Sequence, residues 1–166
     1  SEREDPEVVH ALMQTTLTEL AEVVVEHGGH VDKFIGDCIM ALFGAPVAHE
    51  DDARRAVAAG LAMQARLQTM NRRVEAEHGQ RLAMRVGINA GLVVAGEIGR
   101  PGDYSVVGDA VNVASRIQGL ARPGSVTVTE PVRAQAQGPF TFAAAGTVSV
   151  RNRNAPVEIF EVVGVR

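Results

Sequence analysis

Residues 31–44, VDKFIGDCIMALFG, decide how the chain is read. Two short apolar runs flank a tight Gly36-Asp37 turn. That is the pattern of a β-hairpin, with glycine supplying a backbone conformation that other residues resist. Charge sits in two places. Asp37 stands at the tip. Lys33 stands on the first arm and alternates with Val31 and Ile35, which in a regular strand sets all three on one face. A turn aspartate is an ordinary feature of hairpins. It also has the chemistry of a ligand for a hard cation such as Mg²⁺. A strand lysine is ordinarily a solvated edge charge. Lining a cleft, its ammonium can instead read a ring nitrogen or a carbonyl.

Outward from the hairpin, residues 6–27 predict a helix. Asp5 is placed to cap it and Pro6 to open its first turn. Val9, Leu12, Met13, Thr16, Leu20, Val23 and Val24 fall at helical spacing, and Gly28-Gly29 ends the run. After the strands at 30–35 and 38–43, GAPVAHEDD is a loop. Asp51 or a neighbour caps a helix to about 78, buried along Ala53, Val57, Leu61, Leu67, Met70 and Val74. Strands are expected at 82–90 and 92–98, around Gly91. RPGDYSVVG is a loop with a short extended piece, Asp109 caps a helix to about 121, and SVTVTE is an alternating strand. A short helix near 131–136 and a final hairpin at 145–151 and 157–163 complete the chain. Strands alternating with helices and interrupted by hairpins predict an α+β domain with a mostly antiparallel sheet.

Composition narrows the function. At 166 residues the chain is expected to form one domain. Its net charge is −4, with no tryptophan and one tyrosine. Neither a basic stripe nor an aromatic platform is present to hold nucleic acid. One cysteine, Cys38, excludes an internal disulfide or a cysteine metal cluster and points to a reducing, cytoplasmic setting. No apolar run approaches the ~20 residues of a membrane span, and the acidic start SEREDPEVV is unlike a signal peptide.

Within DAVNVASRIQ, residues 109–118, Asn112 and Arg116 are four apart and share one helical face. They can mark the solvent side, or present an amide to a sugar and a fork of donors to a phosphate. Other sets are weaker. His27-Gly-Gly-His30 is explained by glycines at a helix end, and His49-Glu50-Asp51-Asp52 by acidic residues entering a helix. There is no Walker loop, dinucleotide fingerprint or zinc signature.

Taken together, GGHVDKFIGDCIMALFGAPVAHEDDARRAV, MRVGINAGLVVAGEIG and DYSVVGDAVNVASRIQGLARPGSVTVTE resemble the class III nucleotidyl cyclase catalytic domain. The likeness runs in order over nearly all of residues 1–166. It implies the cyclase homology fold, a ferredoxin-like βαββαβ core with extra strands. It implies a head-to-tail homodimer with its active sites at the interface, where one protomer supplies two aspartates for two divalent cations, Mg²⁺ or Mn²⁺. The other supplies base recognition and transition-state groups. By the resemblance, Asp37 matches the second metal aspartate and Lys33 the lysine that reads adenine. Ser105 stands at the second base-reading position, where a Ser or Thr marks a bacterial subgroup. Asn112 matches the residue that orients the ribose, and Arg116 the one that stabilises charge at the α-phosphate. Arg151 falls where a lysine grips the triphosphate in many members, with Arg153 two residues on. In a dimer each hairpin then serves two sites, Asp37 facing one and Lys33 the other.

The implied activity is adenylate cyclase: ATP becomes 3′,5′-cyclic AMP and pyrophosphate by two-metal in-line attack of the ribose 3′-hydroxyl. Lysine at position 33 favours ATP, because guanylate cyclases of the family usually carry Glu there. The resemblance also implies regulatory domains in a longer bacterial signalling protein. Family members begin with a strand of the form Phe-x-Asp-Ile-x-Gly-Phe-Thr that carries the first metal aspartate. That strand lies just upstream of a segment like SEREDPEVV, so the chain as given is expected to lack it and to catalyse little alone. A catalytically silent, dimerising regulatory module is the alternative.

Overall fold

The structure is a computed structural model that describes residues 5–45, 47–91, 94–97, 104–107, 109–136, 138–150 and 155–165. Its elements, in chain order, are α1 (Pro6–Glu26), β1 (His30–Ile35), β2 (Cys38–Leu42), α2 (Asp52–His78), β3 (Val86–Ile88), β4 (Val94–Glu97), β5 (Tyr104–Val107), α3 (Asp109–Leu120), β6 (Val126–Thr129), α4 (Glu130–Gln135), β7 (Phe140–Val148) and β8 (Val157–Val165).

Local chemistry explains the helix ends. The Asp5 carboxylate accepts from the Glu7 backbone N–H at 2.8 Å, so one orphan donor of the first turn is satisfied. At the other end Gly28 turns out of α1 with φ +84. A Cβ on Gly29 would stand 2.7 Å from the Phe43 ring and from Val24, too close for any side chain. The His-Gly-Gly-His run is therefore a helix exit, with His27 Nδ1 at 2.8 Å from the Val23 carbonyl oxygen. Asp51 occupies the N-cap of α2 without a side-chain cap bond. Instead Asp52 accepts from the His49 N–H at 2.8 Å, and Arg55 bridges Asp52 at 2.6 Å and Asp51 at 3.1 Å. The acidic run is thus a helix entry, tied down by its own arginine.

Among the described residues, three apolar clusters hold the domain. Leu20, Val23 and Val24 of α1 meet Met63 and Leu67 of α2, and Val31, Ile39, Ala41 and Phe43 close this cluster from the hairpin. Val57 of α2 packs with Val126, Val128, Val132, Phe140 and Val162 in a second cluster. Ile117 of α3 joins Val148 and Ile159 in the third. Helix α2 therefore links the hairpin to the main sheet. Helix α1 is long and apolar enough to cross a membrane by length and composition. Its buried stripe is spent on α2 and the hairpin, which is the role of a core helix.

The main sheet has the order β3-β6-β8-β7. The β3–β6 pair is parallel; β6–β8 and β7–β8 are antiparallel. β1–β2 and β4–β5 are antiparallel two-stranded ribbons. This is the expected α+β architecture: a mostly antiparallel sheet flanked by helices. Two elements differ in extent. The strand expected over 82–90 is confined to Val86–Ile88. The Asn71 amide takes both the N–H and the carbonyl of Leu82 at 2.8 Å, and Gln64 takes the Met84 carbonyl at 3.0 Å. Side chains of α2 thus replace a strand partner there. The last hairpin begins earlier than expected, at Phe140, because Phe140 and Phe142 pair with Val165 and Val162 across β7–β8.

Candidate functional site

The β1–β2 hairpin closes on the Ile35–Cys38 pair, leaving Gly36 and Asp37 as its two-residue turn. Gly36 has φ +60, in the left-handed region such a turn requires. Asp37 is exposed there, as its place at the tip predicts. Burial pushes the Cys38 thiol pKa up, and the adjacent Asp37 carboxylate adds to the rise. Lys33 is also exposed, and so are two large apolar neighbours, Phe34 at 50% and Ile35 at 57%.

The strand is not regular. Val31 pairs with Ala41, but Lys33 pairs with Met40, so Asp32 is an extra residue in a bulge. Val31 consequently joins the core with Ala41, while Lys33 lies with Met40 on the opposite face. The expectation that Val31, Lys33 and Ile35 share a face fails at Val31 for this reason.

Helix α3 presents Asn112 and Arg116 together on its exposed side, while Ala110, Val113 and Ile117 are buried. Three residues not singled out in the sequence reading fix this helix. A Cβ on Gly87 would lie 2.6 Å from the Gln118 nitrogen and 2.8 Å from the Ala114 oxygen, so glycine lets α3 lie directly on β3. Asn89 donates to the Ala110 carbonyl at 3.0 Å, and its amide oxygen accepts from the fully buried Thr129 hydroxyl at 2.7 Å. The first turn of α3 is thereby tied to the ends of β3 and β6. The sequence signal was a polar amide and a glycine in an otherwise apolar strand, VGINA.

The remaining candidates are placed in part. Ser105 lies in β5, paired with Gly96 of β4, and β5 packs against β1, the strand that carries Lys33. Arg151 and Arg153 lie outside the described residues. Asp37 offers the hard oxygen that a divalent cation takes. Among the described residues, no three His, Cys, Asp or Glu side chains gather around one point, so Asp37 does not make a metal centre by itself.

The fold that carries Lys33 and Asp37 on its hairpin and Asn112 and Arg116 on α3 is shared with solved nucleotide cyclase domains. The structure matches the crystal structure of the adenylyl cyclase CyaB from P. aeruginosa with a TM-score of 0.91, at 29% identity over 99% of this chain and 87% of that one. It matches the guanylyl cyclase Cya2 with a TM-score of 0.91, at 37% identity over 99% of this chain and 85% of that one. The sequence profile of the Adenylate and Guanylate cyclase catalytic domain matches residues 1–163, and the chain belongs to that family. Adenylate cyclase 1 of Rhizobium meliloti (strain 1021) is 35% identical over 169 residues, covering 99% of this chain. The chain spans 25% of that relative's length. Cyclases of this family generally use divalent metal ions.

Proposed function

We propose that the chain is the catalytic domain of an adenylate cyclase, converting ATP to 3′,5′-cyclic AMP and pyrophosphate at the interface of a homodimer. Overall likeness does not choose the nucleotide, since the matched guanylyl cyclase structure is more identical to this chain than the matched adenylyl cyclase. The observation that carries the reading is Lys33: an exposed cation on β1, beside the strand that holds Ser105. An ammonium only donates hydrogen bonds. The adenine ring nitrogen N1 accepts one, whereas guanine carries a hydrogen there and calls for a carboxylate.

In this reading Lys33 and Ser105 recognise the base, Asn112 orients the ribose, and Arg151 holds the triphosphate. The 3′-hydroxyl oxygen forms a bond to the α-phosphorus and loses its proton to solvent water. The bond from that phosphorus to the bridging oxygen breaks, and pyrophosphate leaves. Arg116 places a guanidinium where negative charge grows on the α-phosphate. When bound, two Mg²⁺ or Mn²⁺ ions lower the pKa of the 3′-hydroxyl and neutralise the triphosphate. Asp37 would hold them as one of their carboxylate ligands. The exposed Phe34 and Ile35 beside Asp37 are apolar surface that a second protomer would cover.

The test is Lys33→Glu in the full-length protein, with turnover of ATP and GTP compared. The ratio of kcat/KM for ATP over GTP is expected to fall by at least about tenfold, the scale of one charge-assisted hydrogen bond. An unchanged ratio removes Lys33 from base reading and with it the case for ATP. Nucleotide binding without any cyclic product would favour a silent regulatory module instead.

A further inference from the structure

Lys33 has a charged neighbour that none of the roles above uses. In a regular strand, consecutive side chains leave on opposite faces and do not converge. The bulge at Asp32 breaks that rule, and the Lys33 ammonium lies 3.5 Å from an Asp32 carboxylate oxygen. The two ends of this pair differ sharply in environment. The Lys33 side chain is 45% exposed, and the Asp32 side chain is wholly enclosed. Neither Asp32 oxygen accepts a hydrogen bond from the described residues. An ionised carboxylate taken out of water without donors is costly, and breaking its single ion pair leaves that cost uncompensated. Such a group stays buried where its placement serves something else. Bulges often do this next to functional sites, by re-aiming one side chain.

We infer that Asp32 is a positioning residue for Lys33: an enclosed carboxylate, carried to the lysine by the bulge, that fixes the ammonium for base reading and so sets the preference for adenine over guanine. The inference rests on the adenylate cyclase reading and deepens it. A free lysine head has a flexible four-carbon stem and much rotamer freedom to lose on binding. Held by Asp32, it has already lost part of that freedom before the nucleotide arrives, and less is lost on association. The contact is an ion pair at 3.5 Å and not a hydrogen bond, so the three donors of the ammonium stay available to the base. Enclosure keeps Asp32 itself from touching the nucleotide, and it acts through Lys33 alone.

The experiment is a competition binding assay on the full-length protein, in which ATP and GTP displace a fluorescent ATP analogue. The wild type is compared with Asp32→Asn, Asp32→Glu and Lys33→Met. Asp32→Asn keeps the shape and removes the charge; Asp32→Ser gives the same comparison if the amide is not tolerated. The expected result is a loss of about tenfold in ATP affinity and less than about twofold in GTP affinity, the scale of one charge-assisted contact. Asp32→Glu, which keeps a carboxylate, is expected to retain the preference for ATP. If Lys33→Met abolishes the preference while Asp32→Asn leaves it at the wild-type value, the inference is overturned and the base-reading role of Lys33 stands. Equal losses for both nucleotides also overturn it, because they mark a purely structural residue. If Lys33→Met leaves the preference unchanged, the adenylate reading itself fails and the inference goes with it.

Discussion

Strand β6 and the β1–β2 hairpin invert each other. β6 reads as polar and apolar residues in alternation, the pattern of a strand with one wet face, yet all four of its residues are buried. Helix α2 covers one side through Val57, and Thr129 turns inward to the Asn89 amide. The hairpin shows the opposite mismatch. Its apolar Phe34 and Ile35 are exposed, beside the two charges proposed to act on the nucleotide and its metal, Lys33 and Asp37. Polarity in the sheet centre thus serves to tie elements together, and apolarity at the hairpin tip is surface that the proposed second protomer would cover. Burial therefore separates the residues that hold the fold from those read as acting on a nucleotide.

That contrast breaks most visibly at Asp37. Asp37→Ala in the full-length protein is expected to lower metal-dependent turnover by at least about a hundredfold, the scale of losing one transition-state charge contact. Thermal unfolding should move little, because an exposed turn side chain carries about 0.5 kcal/mol or less. A steady-state assay read beside a melting curve checks both, and near-normal turnover would sink the metal assignment. Next comes Thr129→Val, which keeps the shape and removes the donor to Asn89. It is expected to cost about 1–3 kcal/mol of stability, the price of an unsatisfied buried acceptor. Denaturant unfolding measures this, and a neutral outcome would show that the Asn89 bridge to α3 is dispensable. The smallest effect on the protomer belongs to Phe34→Ser, within about 0.5 kcal/mol of wild-type stability. Sedimentation equilibrium on the same variant should nonetheless show weaker self-association. Unchanged association would remove Phe34 from the partner surface.

Much of this was legible in the sequence because it is local. The Gly36-Asp37 turn, the capped start of α1 at Asp5 and the shared face of Asn112 and Arg116 all follow from spacing and turn chemistry. What escaped depends on contacts between distant segments. The bulge at Asp32 reverses Val31 relative to Lys33, and nothing in an alternating pattern announces a bulge. The strand expected from Leu82 stops short because Asn71, eleven residues earlier, takes its backbone groups. Gly87 reads as a weak point in a strand until α3 is laid across it. Asn89 and Thr129 are forty residues apart and meet only in the fold. Ser105 and Arg151 were singled out by resemblance alone: β5 carries Ser105 beside β1, and Arg151 lies outside the described residues.

The central claim is the choice of ATP, and one mixture tests it most directly. The full-length protein is given equal concentrations of ATP and GTP with Mn²⁺, and both 3′,5′-cyclic nucleotides are quantified by mass spectrometry. A single vessel removes differences in enzyme amount and metal loading. Cyclic AMP is expected to exceed cyclic GMP by at least about tenfold, as a site matched to one base edge discriminates against the other. Cyclic GMP in equal or greater amount, or no cyclic product of either kind, would contradict the account.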